Sequence, residues 1–316
     1  MRGTWTLYYS LTTRREFVET SAAILAATAW APGAGPRARL PLPLPLGFST
    51  LGCPRWDWLQ VLDFAAAHGY TAVELRGLQD TMDLTQRPEF APARTPLAKR
   101  QIAQRDLHVS CLGSSATMHE MDPAKRSAQL DEARRFIDLA HALDAPYVRV
   151  FGNNYVAGVA PDEMLAHIAR GLRELGQYAQ GKGVTVLIES HGDFTDSPAL
   201  EAILEHADSP AVALLWDAHH TYVSGKEEPE DTVRRLGRYI RHTHLKDSIA
   251  AGNDRRYVLT GTGEVPVRRQ VEALARRGYR GYYSFEWEKR WHAEIEEPEI
   301  ALAQFVTVVS EYLQGS

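Results

Sequence analysis

Residues that bind metal ions or carry protons recur in four short segments in the second half of the chain. In each segment, a run of apolar residues ends in carboxylate, imidazole or amine side chains. The segments cover residues 187–191, 216–220, 241–247 and 284–289. Burying carboxylates and imidazoles is costly unless a partner compensates them, and one divalent cation compensates several at once. The pattern predicts a metal site, provided that one fold brings the four segments together.

The alternation of side chains along a strand decides which of these residues point the same way. The residues assigned to the polar face are Glu189 and His191 in the first segment, His242, His244 and Lys246 in the third, and Glu286 and Glu288 in the fourth. The neighbours of Glu286 are the large apolar Phe285 and Trp287, which are expected to pack beneath helices. Glu286 is therefore expected to point into the fold.

A mixed oxygen and nitrogen site results if Glu189, Asp217, His244 and Glu286 meet at one end of a sheet. Such a donor set suits Mn²⁺, Mg²⁺, Co²⁺ or Zn²⁺, and the residues leave the choice among these metals open. A structural zinc site would be richer in cysteine. Any one of the four residues, taken alone, is equally typical of a salt-bridged strand end. Their shared position at successive strand ends favours one joint site.

Eight apolar runs of strand length alternate with amphipathic stretches of helix length. The candidate strands are residues 46–50, 72–76, 108–112, 147–151, 184–189, 212–217, 239–244 and 282–287. Prolines in the first turn mark three of the helices, at Pro123, Pro161 and Pro198. Eight alternating units predict a parallel sheet closed into a (β/α)8 TIM barrel, an α/β fold of one domain. An open, doubly wound sheet is the alternative, but no Gly-x-Gly-x-x-Gly turn follows the first strand.

In a TIM barrel the C-terminal ends of the strands build the active site, and the four polar segments lie at such ends. Glu74, Arg76 and Arg149 also have the parity of residues inside the barrel. An internal layer of ion pairs is the favoured interpretation for them, with substrate binding as the alternative. Trp56 and Trp58 follow the first strand. Stacking on a sugar and packing against helices are equally plausible roles for them. Trp291 and His292 are expected to cover the site.

Composition and charge exclude several classes of protein. The chain has 316 residues, 44% of them hydrophobic, which is enough for a large core and excludes a disordered chain. The formal net charge of −5 provides no general basic field for nucleic acid. No apolar run is long enough to span a bilayer. The two cysteines, Cys53 and Cys111, form no disulfide framework, and two free thiols are expected.

The N-terminal segment resembles a twin-arginine (Tat) export signal. Arg14 and Arg15 precede a short apolar run that ends in an Ala-x-Ala site at residues 29–31. We therefore interpret residues 1–31 as a signal peptide, residues 32–45 as a Pro-rich linker and residues 46–316 as the barrel. The expected location is periplasmic or extracellular. A short amphipathic N-terminal helix is the alternative.

From residue 46 to about residue 314, the chain resembles the xylose-isomerase-like TIM-barrel superfamily of sugar phosphate isomerases and epimerases, which shares its fold with AP endonuclease family 2. The motifs that carry the resemblance are Asp217-x-x-His220, His242-Thr243-His244-Leu245-Lys246-Asp247, Gly261-Thr262-Gly263-Glu264-Val265-Pro266 and Phe285-Glu286-Trp287-Glu288. The resemblance implies that Glu189, Asp217, His244 and Glu286 hold one divalent metal ion, with Glu189 and Glu286 as the catalytic acid/base pair. It implies substrate contacts for His220, His242 and Lys246, and we place the inward-facing His191 with them.

Two positions depart from the ketose 3-epimerase branch of that superfamily. That branch has a Glu where this chain has Thr195 and an Arg where it has Ala250. Arg255 or Arg256 is a candidate to compensate for the missing arginine. The resemblance therefore supports the metal ligands in this chain, but it does not support the substrate contacts of a ketose 3-epimerase.

The leading hypothesis is proton transfer next to the carbonyl of a sugar through a metal-stabilised enediolate. Export narrows the substrate to a non-phosphorylated or oxidised sugar. One alternative is a lyase or hydratase that acts on 3-keto-glycosides with the same metal site, and another is a non-catalytic sugar-binding protein. An apurinic endonuclease is disfavoured by the acidic charge. The sequence leaves the sugar, the metal and the oligomeric state open.

Overall fold

Eight parallel strands close into a barrel that carries every candidate site residue. The computed structural model describes residues 44–252 and 254–315. In chain order its strands are β1 (Leu46–Ser49), β2 (Ala72–Leu75), β3 (His108–Thr117), β4 (Tyr147–Asn153), β5 (Thr185–Gly192), β6 (Val212–Asp217), β7 (Ile240–Leu245), β8 (Asp247–Ala251), β9 (Asp254–Val258) and β10 (Tyr283–Phe285). The barrel order is β1-β10-β7-β6-β5-β4-β3-β2. The predicted TIM barrel is confirmed.

Helices follow the barrel strands on the outside, as expected for parallel strands joined by crossovers. They are α1 (Trp58–Ala67), α2 (Thr95–Ala103), α3 (Pro123–Ala142), α4 (Pro161–Ala179), α5 (Ser197–Ala207), α6 (Ala218–Val223), α7 (Pro229–Leu236), α8 (Val267–Arg276) and α9 (Pro298–Gln314). Short 3₁₀ helices occupy Thr50–Gly52, Leu84–Gln86 and Pro88–Phe90. The start of α3 matches its predicted signal, since Asp122 accepts a hydrogen bond from the Lys125 amide at 2.9 Å.

The strand faces match the predicted alternation. Phe285 points outward and stacks on Phe305 of α9, with 4.5 Å between ring centroids. Inside the barrel, a small buried apolar cluster is formed by Cys111, Leu187, Ala213 and Leu215. The polar side chains lie nearer the C-terminal ends of the same strands. Three of these apolar residues have Glu74, Arg149 and His242 as register partners on the adjacent strands, so the layer below the candidate site is mixed.

One element was not predicted from the sequence. β8 and β9 pair only with each other, as an antiparallel hairpin between β7 and α8. Most of β9 is exposed or half-buried, with charged side chains at Asp254 and Arg255. Because the sequence of β9 lacks a run of buried apolar residues, it gives little signal for a strand.

The two early tryptophans pack against helices. The Trp58 indole donates to Gln101 of α2 at 2.8 Å, and its ring meets Phe90 edge-on. The Trp56 ring lies 4.8 Å from that of Phe64. The alternative of sugar stacking by these two residues is therefore not supported.

Cys53 and Cys111 are both free thiols and both buried, as expected. Burial raises the pKa of each thiol, so neither is poised to react. The proposed signal peptide and all but the last two residues of the proposed linker lie outside the described residues. None of the helices in residues 44–252 and 254–315 combines the length and apolar character needed to cross a membrane.

Candidate active site

The four predicted metal ligands converge at the C-terminal end of the barrel. Glu189, Asp217 and His244 lie on β5, β6 and β7, and Glu286 directly follows β10; these four strands are successive neighbours in the barrel. Residues Asp217 and His244 are register partners. One donor atom from each side chain lies within 4.8 Å of the other three, and all four residues are buried.

The donor set fits a divalent cation. His244 directs Nδ1 toward the carboxylates, at 3.2 Å from Glu286 Oε1, 3.5 Å from Glu189 Oε1 and 3.9 Å from Asp217 Oδ2. His244 Nδ1 is buried without a hydrogen bond among the described residues, although three carboxylates face it. Asp217 Oδ2 and Glu189 Oε2 are held by ion pairs with Lys246 and Arg149. Buried polar atoms are normally satisfied, and an imidazole nitrogen that three carboxylates face fits a cation bound between them. A mixed carboxylate and imidazole set is typical of Mn²⁺, Mg²⁺, Co²⁺ and Zn²⁺ sites.

Glu74 fixes the orientation of two histidines below this centre. Its Oε2 accepts hydrogen bonds from Nε2 of His242 at 2.7 Å and from Nε2 of His244 at 2.9 Å. All three side chains are fully buried. When His244 carries its proton on Nε2, the lone pair of Nδ1 is free to ligate a metal ion. This is the tautomer that a metal site requires. The parity of Glu74 along its strand predicts its place inside the barrel but gives no signal for its contacts with the two histidines.

Electrostatics keep the cluster charged. Burial alone would raise the pKa of Glu189, but Arg149 and His244 outweigh it and lower that pKa to about 2. Burial would likewise raise the pKa of Glu286, which His244 and Lys246 instead hold well below its ordinary value. In return, the carboxylates Glu286 and Glu74 raise the pKa of His244 against the opposing effect of burial.

Arg149 forms the ion pair that the sequence analysis favoured. Its Nε lies 2.9 Å from Glu189 Oε2, and its Nη1 donates to the Ser114 carbonyl at 2.8 Å. The guanidinium also stacks over Phe151, 3.8 Å from the ring centroid. Arg149 thereby fixes the Glu189 carboxylate from the side away from His244.

Lys246 lies among three carboxylates and is fully buried. Its Nζ is 2.8 Å from Asp217 Oδ2 and 2.7 Å from Glu288 Oε1, and it also pairs with Glu286. Those carboxylates raise the pKa of Lys246 well above its ordinary value, although burial opposes the shift. Burial raises the pKa of Glu288 in spite of this lysine. Lys246 thus lies at the predicted centre, as expected, and Glu288 joins it.

Asp217 is oriented by the local backbone. It is the last residue of β6 and the N-cap of α6, and its Oδ1 accepts from the His220 amide at 3.0 Å. Ser190 Oγ bridges to the Asp217 backbone, accepting from its N–H at 2.8 Å and donating to its carbonyl at 3.1 Å. These bonds leave Oδ2 directed at the centre, and they give the Asp217-x-x-His220 spacing a structural reason.

His220 and His191 lie together beside the centre, where the sequence analysis placed substrate contacts. His220 Nδ1 is 3.4 Å from Asp217 Oδ2, and the side chain keeps 18% of its surface exposed. The His191 ring lies 5.1 Å from that of His220 and 4.6 Å from Phe151. Burial lowers the pKa of His191, and its Nδ1 has no hydrogen-bond partner among the described residues. Both imidazoles are therefore placed to meet a ligand.

His242 does not lie where a substrate contact was expected. It precedes His244 by two residues on the same face, which puts it one layer deeper in the barrel. The side chain is fully buried, and its Nε2 is bound to Glu74. His242 therefore supports Glu74 instead of contacting substrate. The reason is its depth, since the mouth of the barrel lies two residues further along the strand, at His244.

Asp247 holds the loop that carries the glycine motif. Its two carboxylate oxygens accept from the amides of Gly261, Gly263 and Val265 at 2.9–3.1 Å, and from its own neighbour Ser248 at 2.8 Å. A Cβ at Gly263 would lie 2.1 Å from Asp247 Oδ1, so only glycine fits there. The Lys-Asp and Gly-Thr-Gly motifs therefore work as one structural unit that adjoins Lys246.

The hairpin carries both arginines considered as replacements for the epimerase arginine that Ala250 lacks, and Arg256 is exposed on it. Arg255 donates to Ser248 Oγ at 3.0 Å and pairs with Glu264 at 3.0 Å, so its guanidinium is engaged within the hairpin. The hairpin contributes Tyr257, whose ring lies 5.9 Å from Lys246 Nζ and 5.0 Å from the His292 ring. His292 thus packs on Tyr257 of the hairpin, and Trp291 beside it is exposed.

Comparisons with known proteins agree with this architecture. A sequence model of the family described as xylose isomerase-like TIM barrel matches residues 62–305. A fructoselysine 3-epimerase of Shigella flexneri is 27% identical over 170 residues, which cover 52% of this chain and 60% of that protein. An inosose dehydratase of Geobacillus thermodenitrificans is 25% identical over 227 residues, which cover 63% of this chain and 75% of that protein.

One solved structure illustrates the likeness of fold. The D-psicose 3-epimerase of Clostridium cellulolyticum H10 superposes with a TM-score of 0.69 at 16% identity, covering 85% of this chain and 99% of that one. At this identity the likeness concerns the fold alone. The chain spans about 60% of the length of the fructoselysine 3-epimerase it matches, so activity does not follow from that match directly.

Proposed function

Because this chain belongs to the family of xylose isomerase-like TIM barrels, we propose that it is a divalent-metal-dependent sugar isomerase or epimerase. The reaction would move a proton at the carbon next to a carbonyl group. The observation that carries the proposal is the convergence of Glu189, Asp217, His244 and Glu286, whose donor atoms lie within 4.8 Å of one another. The similarity to a fructoselysine 3-epimerase supports it.

Glu189, Asp217, His244 and Glu286 would hold the cation, and their geometry gives the two glutamates a second role. A divalent cation supplies Lewis-acid stabilisation of negative charge on a substrate oxygen. Glu189 and Glu286 lie on opposite sides of His244, on β5 and after β10, so their carboxylates approach a bound sugar from different directions. One would remove the α-proton and the other would return a proton to the same or the opposite face.

The proton transfer is tested by incubating the metal-loaded protein with ketoses in D₂O. Solvent deuterium at the α-carbon is expected in both product and recovered substrate. Turnover without deuterium would overturn the proton-transfer mechanism. Loss of exchange in Glu286→Gln, in a variant that still folds, would assign the step to this site.

The second candidate is a lyase or dehydratase that uses the same centre, including one that acts on 3-keto-glycosides. Two observations favour it: Thr195 and Ala250 replace residues expected of a ketose 3-epimerase, and the similarity to an inosose dehydratase covers 63% of the chain. Removing the α-proton allows a group on the β-carbon to leave. Product analysis separates the two reactions, since an isomerase yields only an isomer and a lyase releases water or an aglycone.

The metal and the substrate class are parts of the proposal that need their own tests. Elemental analysis of the purified protein is expected to find about one Mn, Mg, Co or Zn per chain. A metal-free protein that binds sugars without converting them would instead favour the sugar-binding alternative. A substrate screen across ketoses and 3-keto-glycosides identifies the reaction.

We further propose that the protein is exported by the Tat pathway and acts on a non-phosphorylated or oxidised sugar. The support is the Arg14-Arg15 pair followed by an apolar run and an Ala-x-Ala site. Replacing both arginines with lysine is expected to keep the protein in the cytoplasm in a fractionation experiment. Unchanged export of that variant would contradict the proposal.

A further inference from the structure

Arg76 is a buried arginine at the mouth of the barrel, and its guanidinium has no partner among residues 44–252 and 254–315. It directly follows β2 and is only 8% exposed. Its backbone amide donates to Thr50 Oγ1 at 2.9 Å, but its guanidinium forms no hydrogen bond and no ion pair with any residue in the described part of the chain. Arginine is almost never buried unless it is paired, because an unpaired buried charge is costly.

Arg149, the arginine next to Arg76, has the ion pair and the hydrogen bond that the Arg76 guanidinium lacks among the described residues. Arg149 is also buried, at 1% exposed, yet it pairs with Glu189 and donates to the Ser114 carbonyl. The two guanidiniums lie along Gly113 of β3: a Cβ there would fall 2.6 Å from Arg76 Cδ and 2.9 Å from Arg149 Nη2. The absence of a side chain at Gly113 therefore makes room for two adjacent arginines, of which only one is neutralised directly.

The electrostatic environment agrees with a missing anion. Burial and the charge of Arg149 lower the pKa of Arg76 to about 9, and the carboxylates of Glu189 and Glu286 offset this only in part. Both carboxylates are engaged elsewhere, by Arg149 and by Lys246 with His244. No carboxylate of the described residues lies within ion-pair distance of Arg76.

We propose that Arg76 binds a carboxylate of the substrate, which makes the substrate of this site a sugar acid rather than a neutral sugar. A carboxylate matches the planar fork of a guanidinium and neutralises its charge, whereas a hydroxyl does neither. Arg76 reaches the site from β2, across the barrel from Asp217 on β6. The carboxylate end of the sugar would therefore lie on the β2–β3 side. This inference rests on the proposed sugar chemistry and names its substrate class.

The test uses three matched pairs in which a carboxylate replaces a hydroxymethyl group: D-fructuronate with D-fructose, D-glucuronate with D-glucose, and D-gluconate with D-glucitol. Titration calorimetry measures Kd for each with the Mn²⁺-loaded protein. At least one acid is expected to bind about tenfold or more tightly than its partner alcohol, as a charge-assisted hydrogen bond predicts. The absence of a preference in all three pairs would overturn the proposal.

Arg76→Met removes the charge and keeps an unbranched apolar side chain in place of the arginine stem. The preference for the acid is expected to fall below about twofold in this variant, with little change for the alcohol. Arg280→Met, at an exposed arginine before β10 at the opposite end of the barrel, is the control and is expected to keep the preference. A preference that survives in Arg76→Met would assign the acid to the cation or to another residue, and so overturn the role of Arg76.

Thermal unfolding without sugar supplies a readout that a structural role would not give. Because its guanidinium is unpaired, Arg76→Met is expected to unfold at the same temperature as the wild type or a higher one. A clearly lower Tm would show that Arg76 stabilises the fold itself, against the proposal. If D₂O exchange fails but the acid preference depends on Arg76, the proposed chemistry falls and the binding role stands. If exchange occurs on neutral sugars and no acid is preferred, the proposed chemistry stands and the binding role of Arg76 is wrong.

Discussion

Glu74 Oε2 accepts a hydrogen bond from His244 Nε2 at 2.9 Å, and this contact decides which nitrogen of His244 faces the carboxylates. The same oxygen holds His242 at 2.7 Å. A carboxylate behind a ligating histidine fixes both its tautomer and its ring orientation. The contact links β2 to β7 across the barrel interior, so the predicted metal site depends on a residue far from it in sequence.

Replacing Glu74 with Gln is expected to weaken cation binding by about 10–100-fold, as outer contacts to metal ligands generally do. The amide oxygen can still accept both bonds, but the variant loses the negative charge that the imidazoles face and places an N–H group at the buried Oε1 position, which has no hydrogen-bond partner among the described residues. Calorimetric titration of the apo protein with Mn²⁺ measures the effect. Glu272→Gln, on the outer helix α8, serves as the matched control. An unchanged Kd in Glu74→Gln would show that the histidine is oriented without this carboxylate.

Cation binding is expected to stabilise the folded protein. Three carboxylates share the centre, and a cation that binds only the folded state adds about 2.7 kcal/mol at 100 times its Kd. Thermal unfolding with excess Mn²⁺ and with a chelator measures the difference. In Asp217→Asn the difference is expected to shrink strongly. A wild-type Tm that is the same in both conditions would contradict the cation site.

Arg149→Met is expected to destabilise the protein, in contrast to Arg76→Met. Arg149 pairs with Glu189 at 2.9 Å, and both side chains are 2% exposed. Removing one member of a buried ion pair costs about 3–5 kcal/mol, because the other charge is left uncompensated. Urea unfolding of the apo proteins gives the values. Similar stabilities for the two variants would mean that the Arg149 ion pair is not formed.

Asp247→Asn is expected to loosen the loop at residues 259–265 rather than the whole barrel. The carboxylate accepts amides from Gly261, Gly263 and Val265, and an asparagine offers only one acceptor oxygen. The freed, buried amides each cost about 1–3 kcal/mol. Hydrogen exchange at these amides is expected to accelerate, while Asp254→Asn on the exposed hairpin leaves it unchanged. Equal exchange in Asp247→Asn and the wild type would remove Asp247 from this role.

The eight barrel strands and the four ligand positions were predictable because both depend on local patterns. Apolar runs of strand length recur with helices between them, and side-chain parity places Glu189, His244 and Glu286 on the inner face whatever surrounds them. The hairpin of β8 and β9 was not predictable from such a pattern, because β9 pairs with β8 through the backbone while its side chains are exposed or half-buried and include charged residues such as Asp254 and Arg255.

The sequence by itself thus determined which side chains reach the mouth of the barrel. Only the tertiary structure decided what each of them meets there. Glu74, Arg76 and Arg149 have the same inward parity and read alike in the sequence. Closure of the barrel gives Glu74 two imidazoles and Arg149 a carboxylate, but it leaves the Arg76 guanidinium without a partner in the part of the chain that the structure describes. The physical reason is that a residue's parity is set by its own strand, whereas its partners come from strands that lie beside or across from it only once the barrel is closed.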